Sequence, residues 1–227
     1  LTVPDFLLRY SMVVFFLFGF PFGKEELFYN LYLGPFRVGE LKLSLRDSSW
    51  TYQNVYFLSA VLKAKSPFRI YDSLFSISRK DDFTTLYSYK KVEEGGERKE
   101  ISYHFREGRI EYSDGTVFSS VPPPKDLLSL WYYFRLFLPE TASATFAHFD
   151  KRNYLVWIIP KESVKISLGM KFDLGEFRAR RISPRTSPKS ILGDVYISED
   201  SLRLPLVIKT KLLLGLVRAV LKRREAE

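Results

Sequence analysis

The segment between residues 72 and 121 constrains this chain more than any other. Five short runs rich in Tyr, Phe, Ile and Thr follow one another there, at 72–78, 84–92, 98–106, 109–112 and 116–121. Lys80-Asp81-Asp82, Glu94-Gly95-Gly96-Glu97, Glu107-Gly108 and Asp114-Gly115 separate them. Gly-Gly and Asp-Gly suit tight hairpins, because primed turns need positive φ and glycine adopts it without steric cost. Aromatic and β-branched side chains suit a pleated surface. Five strands in about 50 residues leave no room for crossovers of a dozen residues or more, so the strands must pair antiparallel.

The pattern continues on both sides. Upstream, 27–33, 38–45 and 52–65 read as strands, with Gly34-Pro35 as a turn and Ser66-Pro67 as a break. Leu41, Leu43 and Leu45 share one face, Lys42 and Ser44 the other. Gly39 marks a bulge or a close backbone approach. Downstream, strands are predicted at 142–149, 154–159, 162–168, 177–182, 194–198, 204–211 and 216–221. Asp150-Lys-Arg-Asn153 reads as a turn, Ser183 to Lys189 as a long loop, and Gly215 turns the final pair. For that last segment an amphipathic helix competes, but Leu206, Ile208 and Thr210 alternating with Val207 and Lys209 favour strand.

Between the two sets Pro122-Pro123-Pro124 stops the meander and the period changes. Leu127, Leu130, Trp131, Phe134 and Leu138 recur at helical spacing over 126–137, with Leu128 and Phe137 widening the stripe. Asp126 is the expected N-cap, Ser129 sits at N3, and Pro139 ends the helix. The fold expected is therefore mainly β: a large curled antiparallel sheet, barrel or sandwich, with one central amphipathic helix. So many strands rarely stay flat and open.

The run Met12 to Phe22 is apolar throughout, with Arg9 before it and Lys24-Glu25-Glu26 after it. That layout predicts a secretory signal peptide over 1–23, or an N-terminal anchor if it is retained, and one β-rich domain over 24–227. The run is shorter than the roughly 20 residues of a membrane span. Export to the periplasm or cell envelope is expected, with membrane tethering if the segment stays.

Zero cysteines exclude disulfides and thiolate chemistry, and two histidines, His104 and His148, leave little for a metal cluster. They could share a site only if their strands paired. No Gly-x-Ser-x-Gly elbow, phosphate loop or dinucleotide fingerprint occurs. The aspartates at 72, 81, 82, 114, 150, 194 and 200 all lie in or beside turns, where aspartate is common for structural reasons. No catalytic residue, metal ligand or cofactor is assigned.

The 35 Lys and Arg exceed 26 Asp and Glu, a net charge of +9. Residues 178–189 hold five basic residues without an acid, and 209–224 hold six. Two readings stand: a solvated outer face, or an electropositive face for anionic lipid or acidic glycan. No nucleic-acid-binding motif is present. On the helix, Ser129, Trp131, Tyr132, Phe134 and Arg135 are candidates to line or rim a ligand cavity. The competing reading gives Asp126 to the cap and Arg135 to a tie with the sheet. Asp200 and Arg203 read as a turn-stabilising pair, and Gly34 and Gly39 as backbone positions.

Four motifs in order resemble the bacterial exported-protein family called domain of unknown function 3108. They are Tyr29-x-Leu31-x-Leu33-Gly34-Pro35-Phe36-Arg37-Val38-Gly39-Glu40; Asp126-Leu-Leu-Ser129-Leu-Trp-Tyr132-Tyr-Phe-Arg135; Leu174-Gly175-Glu176-Phe177; and Ser198-Glu-Asp200-Ser-Leu-Arg203-Leu-Pro205. The resemblance covers roughly residues 25–222. Leu33 and Tyr196-Ile197 stand where that family often has tryptophan. The resemblance implies a signal peptide, a mature envelope protein and a mostly antiparallel β fold; it implies no activity.

The expected function is a non-enzymatic envelope protein that binds or carries an apolar or amphiphilic ligand in a barrel cavity. The alternative is a structural or assembly factor docking an envelope partner without a small-molecule pocket. A glycan-acting enzyme is the third reading. Lipid, envelope protein and anionic glycan are the partners considered; nucleic acid is not.

Overall fold

A computed structural model of the chain describes residues 23–65, 69–94, 96–120, 122–168, 175–186, 193–212 and 215–227. The leader expected over 1–23 lies, except for Gly23, outside the described residues.

Among the described residues the fold is mainly β with a single helix. The first eight strands are β1 (Lys24–Leu33), β2 (Phe36–Trp50), β3 (Gln53–Ala64), β4 (Ile70–Arg79), β5 (Thr85–Glu94), β6 (Glu97–Arg106), β7 (Arg109–Tyr112) and β8 (Val117–Ser119). Helix α1 (Leu127–Leu136) follows. Then come β9 (Ser143–Phe149), β10 (Arg152–Ser167), β11 (Glu176–Thr186), β12 (Asp194–Ser198), β13 (Pro205–Leu212) and β14 (Gly215–Ala226). All fourteen strands form one antiparallel sheet in the order β8-β7-β6-β5-β4-β3-β2-β1-β14-β13-β12-β11-β10-β9. The chain thus lays down one half of the sheet, supplies the helix, and returns to build the other half inwards until β14 meets β1.

Three local expectations are corrected. The strands expected at 154–159 and 162–168 are one strand, β10, bulged between Pro160 and Ser163. Proline cannot donate to the ladder, so the break expected there is absorbed as a bulge. The loop expected from Ser183 is still strand up to Thr186, and 187–189 lie outside the described residues. Pro184 is tolerated because β11 pairs with β12 only over 179–182, leaving that side of the strand without a ladder to satisfy. Finally, β2 runs past Leu45 to Trp50. Its tip brings Trp50 over the outer face, stacked on His104 with ring centroids 6.5 Å apart.

The sheet curls until its two edges meet. Lys125, in the segment before α1, bridges β9: its N–H donates to Phe146 O at 3.1 Å and its carbonyl accepts from His148 N at 2.7 Å. One residue earlier Pro124 O accepts from Thr85 N of β5 at 3.1 Å. Asn153 Nδ2 donates to Ser119 O at 3.2 Å, and Lys151 pairs with Asp114. Unpaired edge strands invite aggregation, and here both edges are covered by the chain itself.

Gly39 faces Leu31, beside the point where β2 is bulged against β1 by the extra residue Val38. A Cβ on Gly39 would lie 2.2 Å from Lys63 O of β3, whereas one on Gly34 would meet nothing within 4 Å. Gly34 is needed for its φ of +58°. Two glycines of one hairpin are therefore required for different reasons, one steric and one conformational. Gly39→Ala should cost about 1–3 kcal/mol through a backbone clash, and Gly39→Val more. Gly34→Ala should cost about 1–2 kcal/mol through left-handed strain alone. Denaturant unfolding of the three variants checks both the sizes and the ranking.

Candidate functional site

Helix α1 lies across the strands inside the curled sheet. Its N-terminus meets β4 and β5. Asp126, the N-cap, accepts from Ser129 N at 2.7 Å. Its second carboxylate oxygen accepts from Ser88 Oγ at 2.7 Å and from Ser76 Oγ. Ser129 Oγ lies 2.7 Å from Ser78 Oγ and 2.8 Å from Thr85 Oγ1, and Asp126 N donates to Thr85 Oγ1 at 2.8 Å. Ser76, Ser78, Thr85 and Ser129 are fully buried. Every one of these hydroxyls finds a partner, which is what makes the buried network stabilising.

The C-terminal end is held from β1 and from the β12–β13 connection. Arg135 makes a bidentate pair with Glu25, 2.5 Å and 3.2 Å, both side chains almost fully buried. Arg224 adds a third contact to Glu25 at 2.9 Å. Arg135 also donates to the carbonyls of Leu202 and Arg203. Arg203 in turn donates to Leu136 O at 2.6 Å, satisfying a carbonyl the helix end leaves open. Asp200 sets this turn by accepting from Ser198 Oγ, Leu202 N and Arg203 N. Tyr29 OH donates to Pro205 O at 2.9 Å. Burial by itself would raise the Glu25 carboxyl, but the charges and hydrogen bonds of Arg135 and Arg224 outweigh it and hold it below the ordinary carboxylate range.

The helix separates two packed zones. Leu128 and Tyr132 pack into a core with Leu45, Tyr56, Leu58 and Phe83. Leu130 and Phe134 pack on the opposite wall, against Ala147, Val156, Ile182 and Ile197. The third side of α1 is different. There Leu127 and Trp131 are only partly buried. Two inward rows of the sheet face that side: Leu27, Leu43, Ala60, Leu74 and Lys90, then Tyr29, Leu41, Leu62, Asp72 and Val92. Leu41, Leu62 and Leu74 point inward by register, yet they too are only partly buried, as is Ile208 across the lumen. Among the described residues a cavity of about 80 Å³ opens beside Leu127, lined also by Leu74, Ser88, Lys90, Asp126 and Phe149. A smaller one of about 10 Å³ sits between Trp131 and Ile208. These are the crevices at the floor of an apolar, half-open lumen. Lys90 and Asp72 are the charged groups of its wall. Asp72 Oδ1 is buried without a partner among the described residues, and burial, helped by Glu94 and opposed by Lys90, raises its pKa.

The sequence-predicted residues divide accordingly. Ser129 and Arg135 spend their polar groups on the sheet, Tyr132 and Phe134 are core, and Trp131 faces the lumen. Asp126 caps the helix and Asp200 holds its turn as the structural reading expected, but the Arg203 side chain leaves Asp200 for Leu136 O at the helix end and only its backbone N–H bonds Asp200; Gly34 and Gly39 hold the first hairpin. Sequence reasoning missed Glu25, which looks like the first polar residue after an apolar leader. It also missed the hydroxyls of Ser76, Ser78, Thr85 and Ser88. It did place Leu41, Leu43 and Leu45 on one face, the signal from which the lumenal wall could be found.

His104 and His148 do not share a site: β6 and β9 are not neighbours in the sheet. His148 lies at the seam. Its Nδ1 is 2.6 Å from Asn153 Oδ1, and its Nε2 is 2.6 Å from Tyr112 OH. Asn153 uses its amide nitrogen on Ser119 O, so its oxygen must accept and Nδ1 must donate. Burial disfavours the charged ring, and in the neutral form Nε2 accepts from Tyr112. Burial lowers the His148 pKa against the opposing Asn153 bond, and burial raises Tyr112 to about 12. Among the described residues no group of three or more His, Asp or Glu is placed to hold a metal ion.

Fold and site together define a class: one antiparallel sheet closed on itself around a transverse helix, with a lumen left partly unfilled. The chain belongs to the family described as "Protein of unknown function (DUF3108)", whose model matches residues 29–222. Among solved structures it is similar to a beta-barrel-like protein of domain of unknown function DUF1849 from Brucella abortus. That match has a TM-score of 0.60 at 6% identity, covering 91% of this chain and 98% of the other. At that identity the likeness concerns the fold alone. No curated protein matches the chain.

Two measurements check the site. Arg135→Met strands part of a buried carboxylate and should cost about 3–5 kcal/mol, less whatever Arg224 recovers; Asp126→Ala should cost about 0.5–2 kcal/mol. The pH profile of unfolding should show two losses. His148 has a depressed folded pKa, so the unfolded chain takes up its proton first, and stability is lost as pH falls below the ordinary value of 6.5. His104, also depressed by burial, adds to that loss. Glu25 contributes above the ordinary carboxylate value of 4.5 and loses its contribution as pH falls below it. His148→Gln should reduce the upper limb to the contribution of His104 and leave the lower one unchanged.

Proposed function

We propose that the protein is a non-enzymatic component of the cell envelope that holds an apolar or amphiphilic molecule in the lumen beside α1. The observation that carries this reading is the partial exposure of Leu41, Leu62 and Leu74. These side chains point inward by register, and helix α1 leaves them unfilled on the side of Leu127 and Trp131. Apolar surface lining a concavity, with a few polar groups placed among it, is what small-ligand sites present. Lys90 and Asp72 supply those polar groups, so a ligand with a polar head and an apolar body matches the wall. The two floor crevices are far smaller than the 300–1,000 Å³ of a typical ligand site. The body of the ligand therefore belongs in the open part of the lumen, against Leu41, Leu62 and Ile208. Envelope location rests on the apolar run Met12 to Phe22 and the charged residues around it.

A scaffold or assembly factor is the second reading. The locking of both ends of α1 favours it, because a helix tied by Glu25, Arg203 and four hydroxyls of β4 and β5 has little freedom to yield to a ligand.

Binding of a fluorescent fatty acid to the full chain separates the two. The carrier reading expects saturable uptake, loss of it in Leu62→Trp and Leu74→Trp, which fill the lumen, and retention in Trp131→Ala, which enlarges it. No uptake by the native chain or by Trp131→Ala would leave the scaffold reading in front. Cell fractionation tests the location: full-length chain with residues 1–23 intact in the cytoplasm would overturn it.

A further inference from the structure

A further concavity lies not in the lumen but on the outer face of β1–β4. It encloses about 490 Å³, and a neighbouring depression of about 200 Å³ continues it along the same face. We propose that this trough binds an acidic polysaccharide, a chain of sugars carrying carboxylates.

The charge of the trough comes from two devices. The first is alternation: Lys42 and Lys63 fall on the outward side of strands whose inward side is Leu41, Leu43 and Leu62. The second is a β-bulge. Phe28 pairs with Arg223 and Tyr29 with Leu221, so Lys222 is the extra residue of β14. A bulge re-aims side chains. Here Lys222 and Arg223 are both exposed, while Leu221 before them is fully buried and Arg224 after them turns in to Glu25. Two consecutive cations thus project together at the edge of the trough, which a regular strand could not achieve. Arg223 lies over one side of the Phe28 ring at 4.2 Å and Lys42 reaches the same ring at 5.3 Å. Lys63 lies 5.7 Å from the Tyr71 ring. These aromatic contacts position the cations without neutralising them. Lys42 is paired with Glu26 and Arg223 with Glu225, but neither Lys63 nor Lys222 has an ion-pair partner among the described residues.

The acceptors argue for a sugar rather than a simple anion. Glu40 lines the trough beside Lys63. Asn30 shares that cross-strand row; it is 5% exposed, and its Oδ1 has no partner among the described residues. Ser44 and Ser59 form a hydroxyl pair in the adjoining depression. Cations alternating with such acceptors match a chain that offers carboxylates and hydroxyls in turn. The concave form separates this ligand from a bilayer, whose headgroup plane would meet the rims and leave the floor untouched.

The test is calorimetric titration of the full chain with polygalacturonate at low salt, with neutral dextran as the uncharged control. The expected result is binding of polygalacturonate and not of dextran. It should weaken as ionic strength approaches 0.15 M, where charges are screened over about 8 Å. The double reversal K63E/K222E touches exposed residues and should leave the circular dichroism spectrum unchanged. It should weaken binding about tenfold or more, because attraction is replaced by like-charge contact. Arg178→Glu, off the trough, should change affinity less than about threefold. Three results would each overturn the proposal: no binding of polygalacturonate, equal loss in Arg178→Glu and K63E/K222E, or a preference for anionic lipid vesicles that survives K63E/K222E. None of them bears on fatty-acid uptake, so this site and the lumenal reading stand or fall separately.

Discussion

The pair between Glu25 and Arg135 joins the first strand to the last turn of the helix, and the rest of the architecture depends on that junction. A curled sheet of fourteen strands encloses more space than its own side chains fill, since barrels of about eight strands are already just filled. The helix supplies the missing volume, but only if it is held across the lumen against its tendency to slide. Hydroxyls and the Asp126 carboxylate fix one end to β4 and β5; Glu25, Arg203 and two backbone carbonyls fix the other. Buried ions are costly to desolvate, and this one is tolerable because each polar atom given a role also has a partner. What the pair contributes is position: it decides which side of α1 is core and which side faces the lumen.

From that position follows the asymmetry of the interior. On two sides α1 packs against buried cores, and on the third Leu127 and Trp131 are only partly buried, as are Leu41, Leu62 and Leu74. A helix with a wider apolar stripe and no anchoring ions could settle to the middle and fill the barrel evenly. Anchored at both ends to the strands it crosses, it cannot. The partly filled lumen is thus a consequence of how the helix is tied rather than of the size of its side chains.

The outer surface obeys a separate logic. Its cations come from the same alternation that sends leucines inward, so a basic exterior is the ordinary complement of an apolar interior. Concentration of charge in one trough needs something more, and the bulge at Lys222 supplies it. The seam adds a third independent element. There a neutral His148 between Asn153 and Tyr112 lets two edge strands meet through side chains where no backbone ladder joins them.

Much of this was legible in the sequence because it is local. Alternation of Leu41, Leu43 and Leu45, the Gly-Gly and Asp-Gly turns and the 3.6-residue spacing of Leu127, Leu130, Trp131 and Phe134 each act within a few residues. They specify strand, turn, helix and inward face without reference to any tertiary contact. Asp126 was readable as a cap for the same reason. The sequence alone could not say which polar residues go inside. Glu25 is buried because Arg135, 110 positions later, meets it, and Ser76 because Asp126, 50 positions later, does. Nor could it join the proline-containing segments of β10 and β11 to the ladder, since tolerance of Pro160 and Pro184 depends on what the neighbouring strand leaves unpaired. Periodicity specifies the face a residue takes; only closure of the sheet decides its partner there, because that choice is made across separations over which local preference carries no information.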